Sequence, residues 1–326
     1  MNITVMKFGG TSVADPEKIE RAACRAILEK KRGKKVVVVV SAPGEMTDEL
    51  LILSSKIDAN ASPREKDQLI TTGEIVGVSL FAMACHKKGS SAISLSAAQA
   101  GIEAKGPYGN ADISRVSPQR ILRELRAGKI VVVAGFQGMD AAGDVVSLGR
   151  GGSDLTGTVL AAKLKASSCM IFSDVRGIYT ADPRIVSKAR ILKTISLLDM
   201  IELSRHGAQV MQLRSLEIAK KDEVPIYLRS AFHGGSGTLI EPHPQEKKQF
   251  PVTALAFEKK ENQTLISAVG PCAHLSPEIK ENILLELKKK KIKIISLRPG
   301  FRRLSISVPR FEGEAALNAV HKACRL

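Results

Sequence analysis

Two stretches, KVVVVVS at 35–41 and KIVVVAGFQG at 129–138, restrict the fold of this chain more tightly than any others in it. Four or five consecutive β-branched residues leave no polar face, so a strand built from them must be covered on both sides. Each run is short and closed by charge, serine or glycine, which suits a buried strand of a parallel sheet and falls well short of a membrane span. Around them the pattern alternates. NITVMKFGG (2–10) precedes a helix expected from Asp15 to Lys31, with Asp15 as N-cap and Pro16 at the first helical position. Helical stretches follow at 47–58 and 63–88, then the strand SAISLS (91–96) and a helix at 118–127. Beyond KIVVVAGFQG come a helix at 153–166, the strand SCMIFSDV (168–175), a helix at 197–220 and the strand VPIYLRS (224–230). This order predicts an α/β protein with a doubly wound, mainly parallel open sheet and ligands at the C-terminal strand ends.

The segment FHGGSGTLIEPHPQEKKQFP (232–251) reads as closing turns and a linker. After it TLISAVG, a helix over 277–290, IKIISLRPG, RRLSISVPR and a helix over 312–324 give the order β-α-β-β-α. That order suits a small α+β module with helices on one face of an antiparallel sheet. We therefore expect two domains, residues 1–245 and 250–326.

Composition narrows the function classes. With no Trp and 4% aromatic residues, the core must be aliphatic. Five scattered cysteines form no CxxC pair, which favours reduced thiols in a cytoplasmic protein over a structural zinc site. The N-terminal apolar stretch is interrupted by Lys7 and glycines, so no secretory signal is read there. The net charge of +16 fits either nucleic-acid binding or attraction of small anions. The strongest cluster, KKKKIKI (288–294), lacks the interleaved aromatics that stack bases, so no nucleic-acid partner is expected, and with the apolar runs too short to span a bilayer no membrane partner is expected either.

Three glycine-rich stretches follow expected strands: Gly9-Gly10-Thr11-Ser12, Gly135-Phe136-Gln137-Gly138 and SLGRGGSDLTG (147–157). Such turns let backbone N–H groups converge on a phosphate, and helices expected from Ser12 and Ser153 would add their positive ends. One loop alone would be an ordinary strand-to-helix turn; three at one sheet edge favour an anion. The spacing GxxxxGK[ST] is absent around KFGGTS, so this is no Walker A loop. SDVRGIYTADPR (173–184) offers Asp174 and Arg184 to a nucleotide, or else is a capped loop with Tyr179 as packing. In LITTGE (69–74), Gly73 inside a helical stretch is costly unless something approaches closely, and Glu74 could hold an amine or simply face solvent.

Together KFGGTSVAD, VVVVSA with Thr47 following, TTGE, VVVAGFQG, LGRGGSDLTG and SDVRGIYTADPR resemble the aspartate kinases of the amino acid kinase family, in order through the first 240 residues. The tail similarly resembles a single ACT module. The resemblance implies transfer of the γ-phosphoryl of ATP, with Mg²⁺, to the β-carboxylate of L-aspartate. The product, 4-phospho-L-aspartate, opens the biosynthesis of lysine, threonine and related amino acids. It implies Lys7 and Asp154 as the catalytic pair, with Lys7, Gly9, Gly10, Ser12, Ser173, Asp174, Tyr179 and Arg184 on the nucleotide and no dedicated metal ligand. Thr47, Glu74, Ser147, Arg150 and Ser153 would contact aspartate, Arg150 gripping its non-reacting carboxylate and Glu74 its amine. It also implies a homo-oligomer joined through the C-terminal module.

Three departures accompany the resemblance. Gln209, in HGAQV, stands where the family usually has a lysine on the nucleotide, with Arg205 and Arg214 nearby in sequence. Ala104-Lys105 replaces a usual Thr-Asp pair, and the 86 residues after Ile240 allow one ACT module where two are usual, VTALAF (252–257) reading as a leftover strand. The ligand-loop Pro-Gly is Pro277-Glu278, which leaves a dimerising module without effector as the alternative to feedback control. Two other readings stay open: a kinase of the same fold with another acceptor, and a non-catalytic amino-acid-sensing subunit.

Overall fold

The computed structural model describes residues 1–208, 210–243 and 251–326. From the N-terminus it runs β1 (Ile3–Phe8), α1 (Pro16–Lys31), β2 (Lys35–Val40), α2 (Met46–Ile57), α3 (Pro63–Ile70), α4 (Thr72–Lys87) and β3 (Ala92–Leu95). Next come α5 (Ala97–Ala100), β4 (Ile102–Lys105), β5 (Asp112–Val116), α6 (Gln119–Arg126), β6 (Ile130–Ala134), β7 (Gln137–Met139) and β8 (Val145–Ser147). Then follow α7 (Gly152–Lys163), β9 (Cys169–Ser173), β10 (Thr194–Ser196), α8 (Leu197–Arg205), α9 (Leu213–Lys221), β11 (Ile226–Ser230) and β12 (Thr238–Glu241). The chain closes with β13 (Ala254–Lys259), β14 (Gln263–Val269), α10 (Pro277–Lys289), β15 (Ser296–Gly300), β16 (Arg303–Pro309) and α11 (Gly313–Ala323).

Two compact units result: residues 1–176 with 221–235, and residues 177–220 with 236–326. In the first, β11-β9-β1-β2-β6-β3 form a parallel sheet. Strand alternation turns Met6, Phe8, Val36, Val38, Val40, Ile130 and Val132 toward α1 and α4, where Ala23, Ala26, Val78 and Phe81 complete a core. The alternate residues face the other way, toward α7, so both faces are covered and Val36–Val40 are fully buried. A small second sheet, β5-β4-β7-β8, lies outside the expectation from sequence. Its strands are three to five residues long, and β4 and β5 carry charge, so no long apolar run announces them.

In the second unit β10 and β12 pair in parallel, and β13-β14-β16-β15 form an antiparallel sheet backed by α10 and α11. The stretch read as a leftover strand is β13, paired with β14 along its whole length from Ala254↔Val269 to Lys259↔Thr264. The module is therefore ββαββα.

Helix boundaries differ in three places. The helix expected from Ser12 is a 3₁₀ turn over Gly10–Val13, and α1 starts only at Pro16, where Asp15 accepts from the Lys18 N–H. The stretch 63–88 breaks at Thr71, whose hydroxyl turns back to the Asp67 carbonyl. By length and composition alone 63–87 could cross a membrane, yet more than half of it is buried inside the fold. The helix expected over 197–220 is two, broken at Gly207, which has φ +108° and sits where a Cβ would lie 2.7 Å from the Phe257 carbonyl oxygen. Residues 245–250, where the sequence divides the domains, lie outside the described residues, as does Gln209.

Candidate active site at the strand ends

Lys7 leaves β1 on the α7 side of the sheet, one residue before the strand ends. Its ammonium lies 2.6 Å from Asp154 Oδ1, both side chains being largely buried. Asp154 stands in the first turn of α7, behind Gly151, which is left-handed at φ +71°. Close approach of α7 to β1 depends on Gly157, where a Cβ would lie 3.3 Å from Lys7 Cβ.

The three glycine stretches converge here. A Cβ on Gly10 would lie 2.8 Å from the Ala42 carbonyl oxygen, and one on Gly135 would lie 2.6 Å from Ser153 Oγ. Gly9 donates to the Phe172 carbonyl at 3.4 Å, Ser12 donates its N–H to Gly9 at 2.9 Å, and its hydroxyl points to the same Phe172 oxygen at 3.4 Å. Ser173 ends β9, its hydroxyl donating to Asp174 at 2.9 Å, with Asp174 exposed.

Gly73 opens α4 against Ala42, whose Cβ lies 2.8 Å from where its own would be. The next residue, buried Glu74, thus reaches the end of β2, where Oε1 accepts from the Ala42 N–H at 2.9 Å. Oε2 is equally buried and accepts no hydrogen bond. Burial pushes the Glu74 carboxyl up to about 7, against the opposing Ala42 N–H. A buried carboxylate with a bare oxygen is a ready partner for an ammonium.

Ser147 and Ser153 are buried, Thr47 is half-buried in the first turn of α2, and Arg150 is exposed between Gly149 and Gly151. Arg150 forms no ion pair among the described residues. Ser147 is already engaged: its hydroxyl and N–H both donate to Asp67, at 2.7 Å each, and Gly109 N–H joins them at 2.9 Å. Asp67, buried on α3, is a positioning residue that the sequence reading does not include. Its signal is the helical spacing Asp67, Ile70, Thr71, Glu74, which sets it on the buried face.

Tyr179 and Arg184 belong to the second unit. Tyr179 bridges Ile191, and Arg184 turns its exposed guanidinium onto Asp182, with Nη2 2.7 Å from Oδ2. That arginine holds the Asp182 carboxyl below the usual range. Ala104 packs against Gly138, where a Cβ would lie 2.5 Å away, so the residue across from it must be glycine. Burial pushes the thiols of Cys85, Cys169 and Cys324 up to about 12, which makes them inert packing groups at neutral pH.

A lysine–aspartate pair framed by glycines lies at the ends of a parallel sheet, and residues 2–230 match the amino acid kinase family. The chain belongs to that family. Its similarity to particular members is high. It is 46% identical to the aspartokinase of Geobacillus stearothermophilus over 270 residues, which is 83% of this chain and 66% of the relative. It is 48% identical to aspartokinase 2 of Bacillus subtilis (strain 168) over 258 residues, 79% of this chain and 63% of the relative. A crystal structure of aspartate kinase from Synechocystis superposes with a TM-score of 0.67 at 26% identity, over 99% of this chain and 69% of that one. The chain spans just under two thirds of the length of the curated relatives it matches.

Proposed function

We propose that this protein is an aspartate kinase, taking ATP and L-aspartate to ADP and 4-phospho-L-aspartate. The observation that carries the reading is the Lys7–Asp154 pair at 2.6 Å, set among Gly9, Gly10, Gly135 and Ser153. A β-carboxylate oxygen of aspartate attacks the γ-phosphorus, and the bond from that phosphorus to the β,γ-bridging oxygen breaks. The electron pair leaves on ADP. The nucleophile is ionised at neutral pH, so no proton has to move and no general base is required. Lys7 supplies a compact positive charge to the phosphoryl oxygens as charge spreads over them, and Asp154 holds that ammonium in place.

On the acceptor side, the unpartnered Oε2 of Glu74 receives the α-ammonium of aspartate, and Arg150 takes the other carboxylate in a two-pronged contact. Thr47, Ser147 and Ser153 complete the acceptor pocket, with Ser147 fixed by Asp67. Gly9, Gly10, Ser12, Ser173 and Asp174 serve the nucleotide, and the motif alone assigns Tyr179 and Arg184 to it. Mg²⁺ bound with ATP neutralises phosphate oxygens. Five free cysteines, three of them inert, favour a cytoplasmic setting.

The test is release of ADP from ATP and Mg²⁺ with L-aspartate against L-glutamate as acceptor, followed by addition of lysine and of threonine. Turnover that requires aspartate supports the reading. Turnover with glutamate only, or with neither, would overturn it in favour of another acceptor or a sensing subunit.

A further inference from the structure

The second unit holds a cleft of about 700 Å³ between α10, α11 and residues 186–190. That volume lies in the range of small-molecule sites. Its rim is basic: Lys188, Arg190, Lys290, Lys322 and Arg325 line it together with Glu286, and Arg325 Nη2 lies 3.7 Å from Glu278 Oε1. Glu286 is already matched by Lys289 at 2.8 Å and Lys322 at 3.0 Å, which hold its carboxyl below the usual range. Lys188, Arg190 and Lys290 are exposed and have no carboxylate partner among the described residues. The floor is apolar, built from Val186, Ala319 and Leu326.

The inner end is closed by His321, 3% exposed, whose Nε2 lies 2.9 Å from Thr180 Oγ1. Burial, and after it the nearby Arg190 charge, push its imidazole below the ordinary value. Thr180 Oγ1 also accepts from the Arg190 N–H at 3.1 Å, so the cleft wall and the Tyr179–Arg184 segment share one hydrogen-bonded atom.

Cations without partners beside an apolar floor ask for a ligand with opposite charge and an apolar body. We propose that this cleft binds a small organic phosphate of two or more negative charges, its phosphates on Lys188, Arg190 and Lys290 and its apolar part on Val186 and Ala319. The site gives a use to part of the chain's excess charge, since residues 241–326 carry 16 basic against 9 acidic side chains.

The experiment follows the His321 ring by NMR while adenosine 3′,5′-bisphosphate is titrated into the full chain. Lys188→Glu/Lys290→Glu and Lys7→Ala variants run in parallel, each checked for fold by circular dichroism. A saturable shift with Kd below about 1 mM, weakened at least about tenfold in Lys188→Glu/Lys290→Glu and unchanged in Lys7→Ala, is the expected result. No saturable shift, or one that survives the double charge reversal, would overturn the site. A shift lost in Lys7→Ala would place the ligand in the strand-end site instead and overturn it too. Inorganic pyrophosphate binding as tightly as the nucleotide would refute the role of the apolar floor. None of these outcomes depends on turnover, so failure here and failure of the kinase reading are separable.

Discussion

At the scale of single residues, the proposed chemistry turns on Lys7 and Glu74. If it holds, Lys7→Ala removes a charge that matters most as the phosphoryl group transfers, so kcat should fall by about 10²-fold or more while the KM for aspartate changes little. Steady-state kinetics on both substrates would read this, and near-normal turnover would remove Lys7 from the chemistry. Glu74 titrates near 7, where ordinary glutamates are long ionised. Only its ionised form pairs with an ammonium, so kcat/KM for aspartate should rise as pH goes from 6 to 8, and Glu74→Gln should flatten that rise. The same shift has a stability sign. The carboxyl pKa is raised on folding from 4.5 to about 7, so the folded state is favoured at acid pH and loses ground as pH rises through that window. Glu74→Gln should therefore raise Tm at pH 8 and leave it nearly unchanged at pH 4. The close approach that Gly73 suggested in the sequence is the Ala42 contact, and Glu74 beside it is buried rather than solvated, while Lys7 was singled out through the resemblance. Asp67 was not. It sits in PREKDQ, a charged run that reads as a solvated face, and only the fold brings Ser147 and Gly109 onto it.

At the scale of elements, the approach of α4 to the end of β2 is set by the lack of a side chain at Gly73. Gly73→Ala places a methyl 2.8 Å from Ala42 Cβ, so either the loop or the helix start must move. Overpacking of this kind costs about 1–3 kcal/mol, to be read from the urea midpoint. It should also raise the aspartate KM, since the Ala42–Glu74 hydrogen bond spans the same gap. The strands of the large sheet could be read directly, because burial on both faces forces unbroken β-branched runs. The small sheet could not, because its strands are three to five residues long and β4 and β5 are charged, whereas β13 was read as a strand and only its place in the module comes from its pairing with β14. Helix ends followed the sequence where a cap was present, as at Asp15-Pro16, and failed where tertiary contact broke a helix, as at Gly207.

At the scale of the whole molecule, the two units are not two consecutive pieces of chain. The path crosses between them after Arg176, Lys220 and Gly235. The core of the C-terminal module takes in Ala181 and Val186, and its buried Arg302 donates to Asp199 of α8 at 2.8 Å. Removing the arginine leaves Asp199 buried with a lone Thr253 hydroxyl, so Arg302→Leu should cost about 3–5 kcal/mol in urea unfolding. The module also exposes Leu285, Ile295, Phe301 and Phe311, and sedimentation should show self-association that charged replacements of these residues weaken. A threaded path has a further consequence for how such a protein can change. A module that draws its core from a segment about 70 residues upstream cannot be exchanged as a cassette by recombination at the segment 244–250. A donor module spliced in there would arrive without Ala181, Val186 and Asp199, and would have to be fitted to them. Variation in this tail is thus expected to proceed by substitution in place, with the upstream segment and the module changing together.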